Sequence, residues 1–435
     1  MKSFNLLAMM AFLALATAAE IQAQSSPLTL SSALRRALEN NPSAARIRAD
    51  LDVAQSQRRL LRSAILPKIE LFGSATRNSR QVEFGDGDNT TVILPRDDWA
   101  YRLKLSQPIY AGGRELKALR QAGMGIEDAE QSVRAREDQL LLQTAADYLG
   151  VIEGDALVGV ENQNLELARK RRKQSQDFVD AGETTKVDLL RADTAIKAAQ
   201  RRLAVANQLR DSAGSRLRLD LGMDGEVLVE SPSMPARVLT DENTLVQQAI
   251  TSHPAVRRAQ LAHSIAELET RKQRGRYLPV LTADATYTSQ KVNFPADNYS
   301  SFTVNLYVPL YLSGEVEAQI ATARAREKQA ELVLAEVRQQ ITEQVRLAVI
   351  DLRTAETNFS LAREQLTSAE AEYQQTFELY RAQEATSLDV DSAETSLAEA
   401  RRAVVTGNIE RNLAELRVLY STGSLKDVLL TQEMK

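Results

Sequence analysis

The 435-residue chain contains no cysteine. That excludes disulfides, thiolate metal sites and a lipid-modified N-terminal cysteine. Histidine is almost as rare. His253 and His263 stand ten positions apart in a charged helical stretch and suit neither a metal pair nor a catalytic triad. Gly (18), Pro (11) and Trp (1) are also scarce, which argues against turn-rich globular folds. Lys and Arg (54) nearly balance Asp and Glu (58), so a net charge of −4 leaves no footprint for a nucleic-acid partner. No phosphate-cradling loop occurs, because Gly85-Asp-Gly87 lacks the downstream context. Most carboxylates recur at helical spacing with Lys or Arg, as on a solvated face. The chain is therefore expected to be a non-enzyme, with no cofactor and no metal.

Long apolar runs are missing too, with one exception. Lys2 is followed by apolar residues from Phe4 to Ala19 and by Ile21-Gln22-Ala23, a small-residue cleavage site. Residues 1–23 are expected to be a signal peptide, with Gln24 as the mature start of an exported protein; as a membrane anchor the run is short. No later stretch is apolar enough to cross a membrane as a helix. That leaves β-barrel strands open, since these are short and alternating.

What the sequence has in quantity is helix formers. After Gly314 no Gly or Pro occurs until Gly407. From Ala348 the apolar positions step by four and three through Leu352, Ala355, Phe359, Ala362, Leu366, Ala369 and Tyr373, a heptad seam with small residues that admit a close partner helix. A helix from Glu315 to Arg381 would be about 100 Å long. Beyond it a polar break, Tyr380 to Asp389, reads as the tip of a long helical hairpin.

The pattern occurs twice. Ala37-Leu38 through Pro42 matches Ala249-Ile250 through Pro254, and Leu66-Pro67 matches Leu278-Pro279. Pro108-Ile-Tyr110-Ala-Gly-Gly113 matches Pro309-Leu-Tyr311-Leu-Ser-Gly314. At the tips, Gly182-Glu-Thr-Thr185-Lys-Val-Asp188 matches Gln383-Glu-Ala-Thr386-Ser-Leu-Asp389. A unit of this length is a duplicated half rather than a solenoid repeat. The expected organisation is a first repeat over 24–222 with its tip at 178–188, a linker over 223–240, a second repeat over 241–423 with its tip at 380–389, and a tail over 424–435.

Each repeat also carries a strand pair, within 65–107 and 279–308. Trp99, Tyr101, Leu103 and Leu105 alternate with polar residues, as do Leu281, Ala283, Ala285 and Tyr287, and Phe302, Val304, Leu306 and Val308. Ile69 to Val82 is a less regular partner, and Glu83 to Asp98 and Gln290 to Ser301 read as polar loops. No other apolar element is available to cover these faces, so outer-membrane lipid is the better candidate than a soluble core. Four strands cannot close a barrel. Three copies would supply about twelve, an even and closed number.

The duplicated half, the two proline–tyrosine–glycine junctions and the tip pattern G-x-x-T-x-x-D resemble the outer membrane efflux protein (TolC) family over Leu28 to Gly423. The resemblance implies a mostly α fold with a small β part: a homotrimer whose twelve-stranded barrel continues into a periplasmic α-helical barrel. It implies an exit duct of a tripartite efflux pump or type I secretion system, with a periplasmic adaptor and an inner-membrane transporter as partners. Asp389, Tyr380 and Asp188 would line the periplasmic gate. Convergence of like charges there should raise the carboxylate pKa values and make the mouth a cation site, and Tyr380 should hydrogen-bond to the neighbouring hairpin. Gly182, Glu183, Thr185, Gln383, Glu384 and Thr386, at the irregular tips, would dock the adaptor. Three departures from the family pattern stand out. Gln383 replaces a glycine, so that turn should be built differently. Ser392 replaces a second aspartate, while Asp391 is one position off and should face elsewhere. Ala385 replaces a basic residue. The competing reading is a soluble periplasmic coiled-coil adaptor; two hairpins without a Gly- and Val-rich barrel domain count against it.

Overall fold

The computed structural model describes residues 27–85, 90–225, 227–231, 241–292 and 295–431. The expected signal peptide, most of the linker and the last four residues of the tail lie outside them. The described chain divides into two compact units. One comprises Arg48–Val133 and Ala255–Arg338; the other comprises the segments up to Ile47, Arg134–Pro254 and from Gln339 onward.

Helix formation obeys local signals. Thr29 caps α1 (Leu30–Asn40), accepting the Ser32 N–H on its hydroxyl. Asn41 then caps α2 (Pro42–Ser63), its side-chain oxygen accepting the Ser43 N–H at 2.8 Å, with Pro42 in the first turn where no donor is lost. After β1 (Lys68–Arg77), β2 (Val82–Phe84), β3 (Thr91–Leu94) and β4 (Asp97–Ala111) come the long helices α3 (Arg114–Asp180) and α4 (Lys186–Leu221). The order then recurs with α5 (Glu242–Ser252), α6 (Pro254–Arg274), β5 (Val280–Gln290), β6 (Asn298–Tyr307), α7 (Glu315–Arg381) and α8 (Ser387–Ser421). A short helix, α9 (Leu425–Thr431), occupies the stretch that the sequence suggested was only a tail. Helix α7 has the bounds the sequence predicts.

The first unit holds a four-stranded antiparallel sheet in the order β1-β4-β5-β6. Its register aligns the alternation of all four strands. Ile69, Leu105, Ala285 and Phe302 form one rung, and Leu71, Leu103 and Tyr287 continue the next. The opposite face carries Lys68, Ser106, Asp284 and Thr303, then Glu70, Lys104, Thr286 and Ser301. The apolar face is bare: Ile69, Leu71, Phe302 and Leu306 are 65–73% exposed. β1 and β6 have no outer neighbour among the described residues. The irregular partner strand ends earlier than expected, at Arg77, and the loop before β4 contains the β2–β3 hairpin. Pro108, which lacks a ladder donor, sits beside the register shift in β4. Where the sheet meets its helices, Gly112 has φ +67°, and a Cβ there would lie 2.1 Å from the Gly275 carbonyl oxygen. Only glycine fits.

The second unit contains the main core, in which Leu34, Leu141, Leu149, Leu217, Leu221, Leu416 and Leu425 are fully buried. The Tyr148 hydroxyl lies 2.7 Å from both the Leu28 and the Glu230 carbonyls, joining the start of the described chain to the linker. Burial pushes this phenol up to about 12. On α4, Ala192, Ala199, Ala206 and Ala213 are buried at seven-residue intervals. On α7 the predicted seam is inward throughout: Ala348, Leu352, Ala355, Ala362 and Ala369 are buried, and Phe359, Leu366 and Tyr373 are half-buried. Gly407 of α8 faces Phe359 of α7, as a small-against-large seam requires.

Candidate functional site: the helical hairpin tips

The two tips adopt the same turn. In the first, the Gly182 N–H donates to the Val179 carbonyl at 3.1 Å and the Glu183 N–H to Phe178 at 2.9 Å. In the second, the Gln383 N–H donates to Tyr380 at 3.1 Å and the Glu384 N–H to Leu379 at 2.9 Å. This is the pattern of a helix end closed by a left-handed residue. Gly182 has φ +75° and Gln383 φ +63°. The expectation of a differently built second turn is therefore corrected: glutamine occupies the left-handed position glycine fills in the first. The Gln383 amide donates to the Glu183 carboxylate at 2.8 Å, so the side chain that replaces glycine joins the two tips.

Asp389 sits at N3 of α8 in a reciprocal cap. The Thr386 hydroxyl accepts the Asp389 N–H at 3.3 Å, while the Asp389 carboxylate accepts the Thr386 N–H at 2.8 Å and its hydroxyl at 2.6 Å. The Thr386 hydroxyl holds this exposed carboxyl below its ordinary range. Asp188 is held below its ordinary range first by Thr184, whose hydroxyl donates to it, and further by Arg191 at 3.4 Å. Within the protomer the direction is thus opposite to the rise expected from converging charges, because each carboxylate accepts local hydrogen bonds in its charged form. Thr185 makes no side-chain cap to α4.

Tyr380 also departs from expectation. It is buried, its hydroxyl has no partner among the described residues, and its ring meets Phe178 of the other hairpin edge-on at 5.6 Å between centroids. Tyr380 itself reaches the other hairpin through a ring contact rather than a hydrogen bond.

Arg171, 1% exposed, was not legible as a site residue. Projecting from α3, it donates from Nη2 to the Ser387 carbonyl and hydroxyl, each at 3.1 Å, and from Nη1 to Asp391 and to Glu394, the latter at 3.3 Å. Asp391 does face elsewhere, as its offset suggested: it points at this guanidinium. Burial pushes Glu394 up, and the two carboxylates raise Arg171 against its own desolvation. Further along, buried Glu161 of α3 meets Arg202 of α4 at 3.3 Å and Arg402 of α8 at 3.5 Å. Gly182, Glu183, Thr185, Gln383, Glu384 and Thr386 are all exposed at the turns. Ser392 is exposed as well, and Ala385 is half-buried.

The chain as a whole is similar to known proteins. The family model described as "Outer membrane efflux protein" matches residues 33–223 and 245–424. The chain is similar to the outer membrane efflux protein BepC of Brucella suis biovar 1 (strain 1330), at 23% identity over 91% of this chain and 86% of that protein. It is similar to the outer membrane protein TolC of Salmonella enteritidis, at 23% identity over 89% of this chain and 80% of that one. In structure it resembles CusC, with a TM-score of 0.79 at 17% identity, covering 91% of this chain and 92% of the other.

Proposed function

The chain belongs to the outer membrane efflux protein family, and from that premise we propose that three copies form one duct across the outer membrane and periplasm. The uncovered apolar sheet face carries this reading. A face of Ile69, Leu71, Leu103, Phe302 and Leu306 is stable against lipid and costly in water, and free edges at β1 and β6 inside lipid require neighbouring copies. Two helices support closure independently. Val187, Leu190, Val205 and Leu209 of α4, and Leu347, Ile350, Leu361 and Leu379 of α7, are exposed in the protomer. Two different apolar stripes suit a ring built head to tail.

In this assembly the tips form the entrance. Asp389 supplies one carboxylate per copy, and Asp188 a second. Within each copy local capping lowers both carboxyl pKa values, which favours the charged forms and a mouth that attracts cations. Exposed Gly182, Glu183, Thr185, Gln383, Glu384 and Thr386 form the surface for a periplasmic adaptor, which couples the duct to an inner-membrane transporter. Efflux and type I secretion are both compatible with this architecture.

Mass determination in detergent should give a trimer; a stable monomer or dimer would exclude the barrel. In planar bilayers, multivalent cations added on the periplasmic side should block the channel, and Asp389→Ala should relieve the block. Unchanged selectivity and block would assign the constriction to other residues. Glu384→Lys, at an exposed turn position, should reduce export while leaving trimer and conductance intact.

A further inference from the structure

The polar face of the sheet carries its charge unevenly. Moving away from the helices, one row is Lys68, Ser106, Asp284 and Thr303, and the next is Glu70, Lys104, Thr286 and Ser301. Over these two rows the lysines and the acids cancel. Asp284 is also spoken for: it accepts from the Ser106 hydroxyl at 2.7 Å and the Asn305 amide at 2.9 Å, and pairs with Lys104 at 3.6 Å. The third row is Phe72, Arg102, Thr288 and Tyr299, which holds one cation and no acid. The row after it, Ser74, Ala100 and Gln290, is uncharged.

Arg102 is exposed and has no hydrogen bond or ion pair among the described residues. Its planar fork of donors suits a carboxylate, which could take two of them at once. Phe72, 53% exposed, faces it across the strand pair at about 5 Å, and Tyr299 stands two strands to the other side, at about 10 Å. Thr288, between Arg102 and Tyr299, is 1% exposed and is the one buried residue of these four strands. Large side chains therefore close over the polar face at this row, whereas the rows on either side stay open.

We propose that the third row is a collar inside the barrel that attracts organic anions and holds aromatic carboxylates, Arg102 taking the carboxylate and Phe72 and Tyr299 the ring. The inference rests on the channel reading above, which turns the apolar face to lipid and the polar face to the bore. In a ring of three copies β6 lies beside β1 of the next, so aromatic side chains stand between successive arginines. The collar is opposite in sign to the Asp188 and Asp389 carboxylates, so the two stations select separately.

Benzoate and acetate, added on the barrel side of the channel in planar bilayers, test this. Benzoate should block at a concentration at least about fivefold below that of acetate, because only benzoate offers a ring. Arg102→Gln should raise the half-blocking concentration of benzoate at least about fivefold and lower the anion-to-cation permeability ratio. Arg102→Lys should keep that ratio while losing part of the block, since an ammonium has no fork. Phe72→Leu should weaken the block about threefold and leave the ratio unchanged. Equal block by acetate and benzoate would overturn the proposal, as would an Arg102→Gln channel that benzoate blocks like wild type. Arg102 is exposed and unpaired, so its variants should form the same oligomer as wild type, which native mass determination checks. Wild-type conductance without benzoate tests the channel reading by itself, so a conducting channel that benzoate does not block sinks the collar alone.

Discussion

Burial without full compensation marks several residues, and at Asp138 it makes stability depend on pH. The Asp138 carboxylate accepts the Lys426 N–H of α9 at 3.3 Å, with Arg134 nearby, yet burial pushes it up to about 6. The folded value lies above the ordinary 3.8, so the native state holds this proton more tightly than the unfolded chain. The associated stability is complete below about pH 4 and declines as pH rises towards 6. Asp138→Asn keeps the acceptor for α9 and removes the titration. Melting curves taken between pH 4 and 7 should lose that decline in the variant, and an unchanged slope would place the proton elsewhere. Gln383 gives a second test. A left-handed conformation costs a non-glycine residue about 1–2 kcal/mol. Gln383→Gly should change the protomer's stability by no more than about 1 kcal/mol in chemical denaturation, because loss of the bond to Glu183 and the extra chain entropy of glycine offset the relieved strain. A net loss would mean that the Glu183 contact outweighs the backbone strain. Gln383 stood out in the sequence as the replacement for a glycine, whereas Asp138 and Arg171 did not announce themselves. Arg171 meets Asp391 and Glu394 more than two hundred positions away, and its neighbours Lys170, Arg172 and Lys173 look the same as text. Burial is a tertiary property, and no periodicity within a basic run reveals which member turns inward.

Elements were far more legible, because their causes are local. The absence of Gly and Pro after Gly314 and the four-three seam were enough to place α7 from Glu315 to Arg381, and alternation found both faces of the sheet. The misses have local causes as well. β1 is expected to run on because Asn78 and Ser79 are not strong breakers, whereas Asn78 leaves the strand to bond the Pro95 and Arg96 carbonyls, and α9 escapes notice because seven residues carry too little periodicity to stand out. Capping separates the two hairpins more finely than their shared motif does. Both tips read as threonine followed three residues later by aspartate, but only Thr386 closes the reciprocal cap, while Thr185 makes no cap bond from its side chain. Thr386→Ala should cost about 1 kcal/mol in denaturation, and Thr185→Ala only a few tenths. Equal losses would show that the first cap forms in the assembly. The two substitutions also differ in reach, since Thr386 positions Asp389 and Thr185 does not.

At the scale of the whole molecule, the protomer is unfinished in two chemically distinct ways. Among the described residues its sheet edges at β1 and β6 have no neighbouring strand, and an apolar stripe on each of α4 and α7 has no cover. The first deficit is satisfied only by hydrogen bonding to another strand, and in lipid each unpaired group costs several kcal/mol. The second is satisfied by any apolar surface of matching shape. In the proposed assembly, head-to-tail association of identical copies would meet both at once, and a closed threefold ring would leave no edge over. The two deficits can be separated by substitution. Leu361 is 56% exposed on α7, so Leu361→Asp removes little packing within the protomer and should change its own stability by no more than about 1 kcal/mol. In the assembly it would bury a carboxylate against an apolar stripe, a cost large enough to weaken the ring. The expected result is a folded protein that sediments in detergent as monomer or fails to reach a heat-resistant trimer. If Leu361→Asp assembles as wild type does, the α7 stripe faces the interior of the duct or the solvent. The ring would then be held by the sheet edges alone, which a charged substitution on a helix cannot reach.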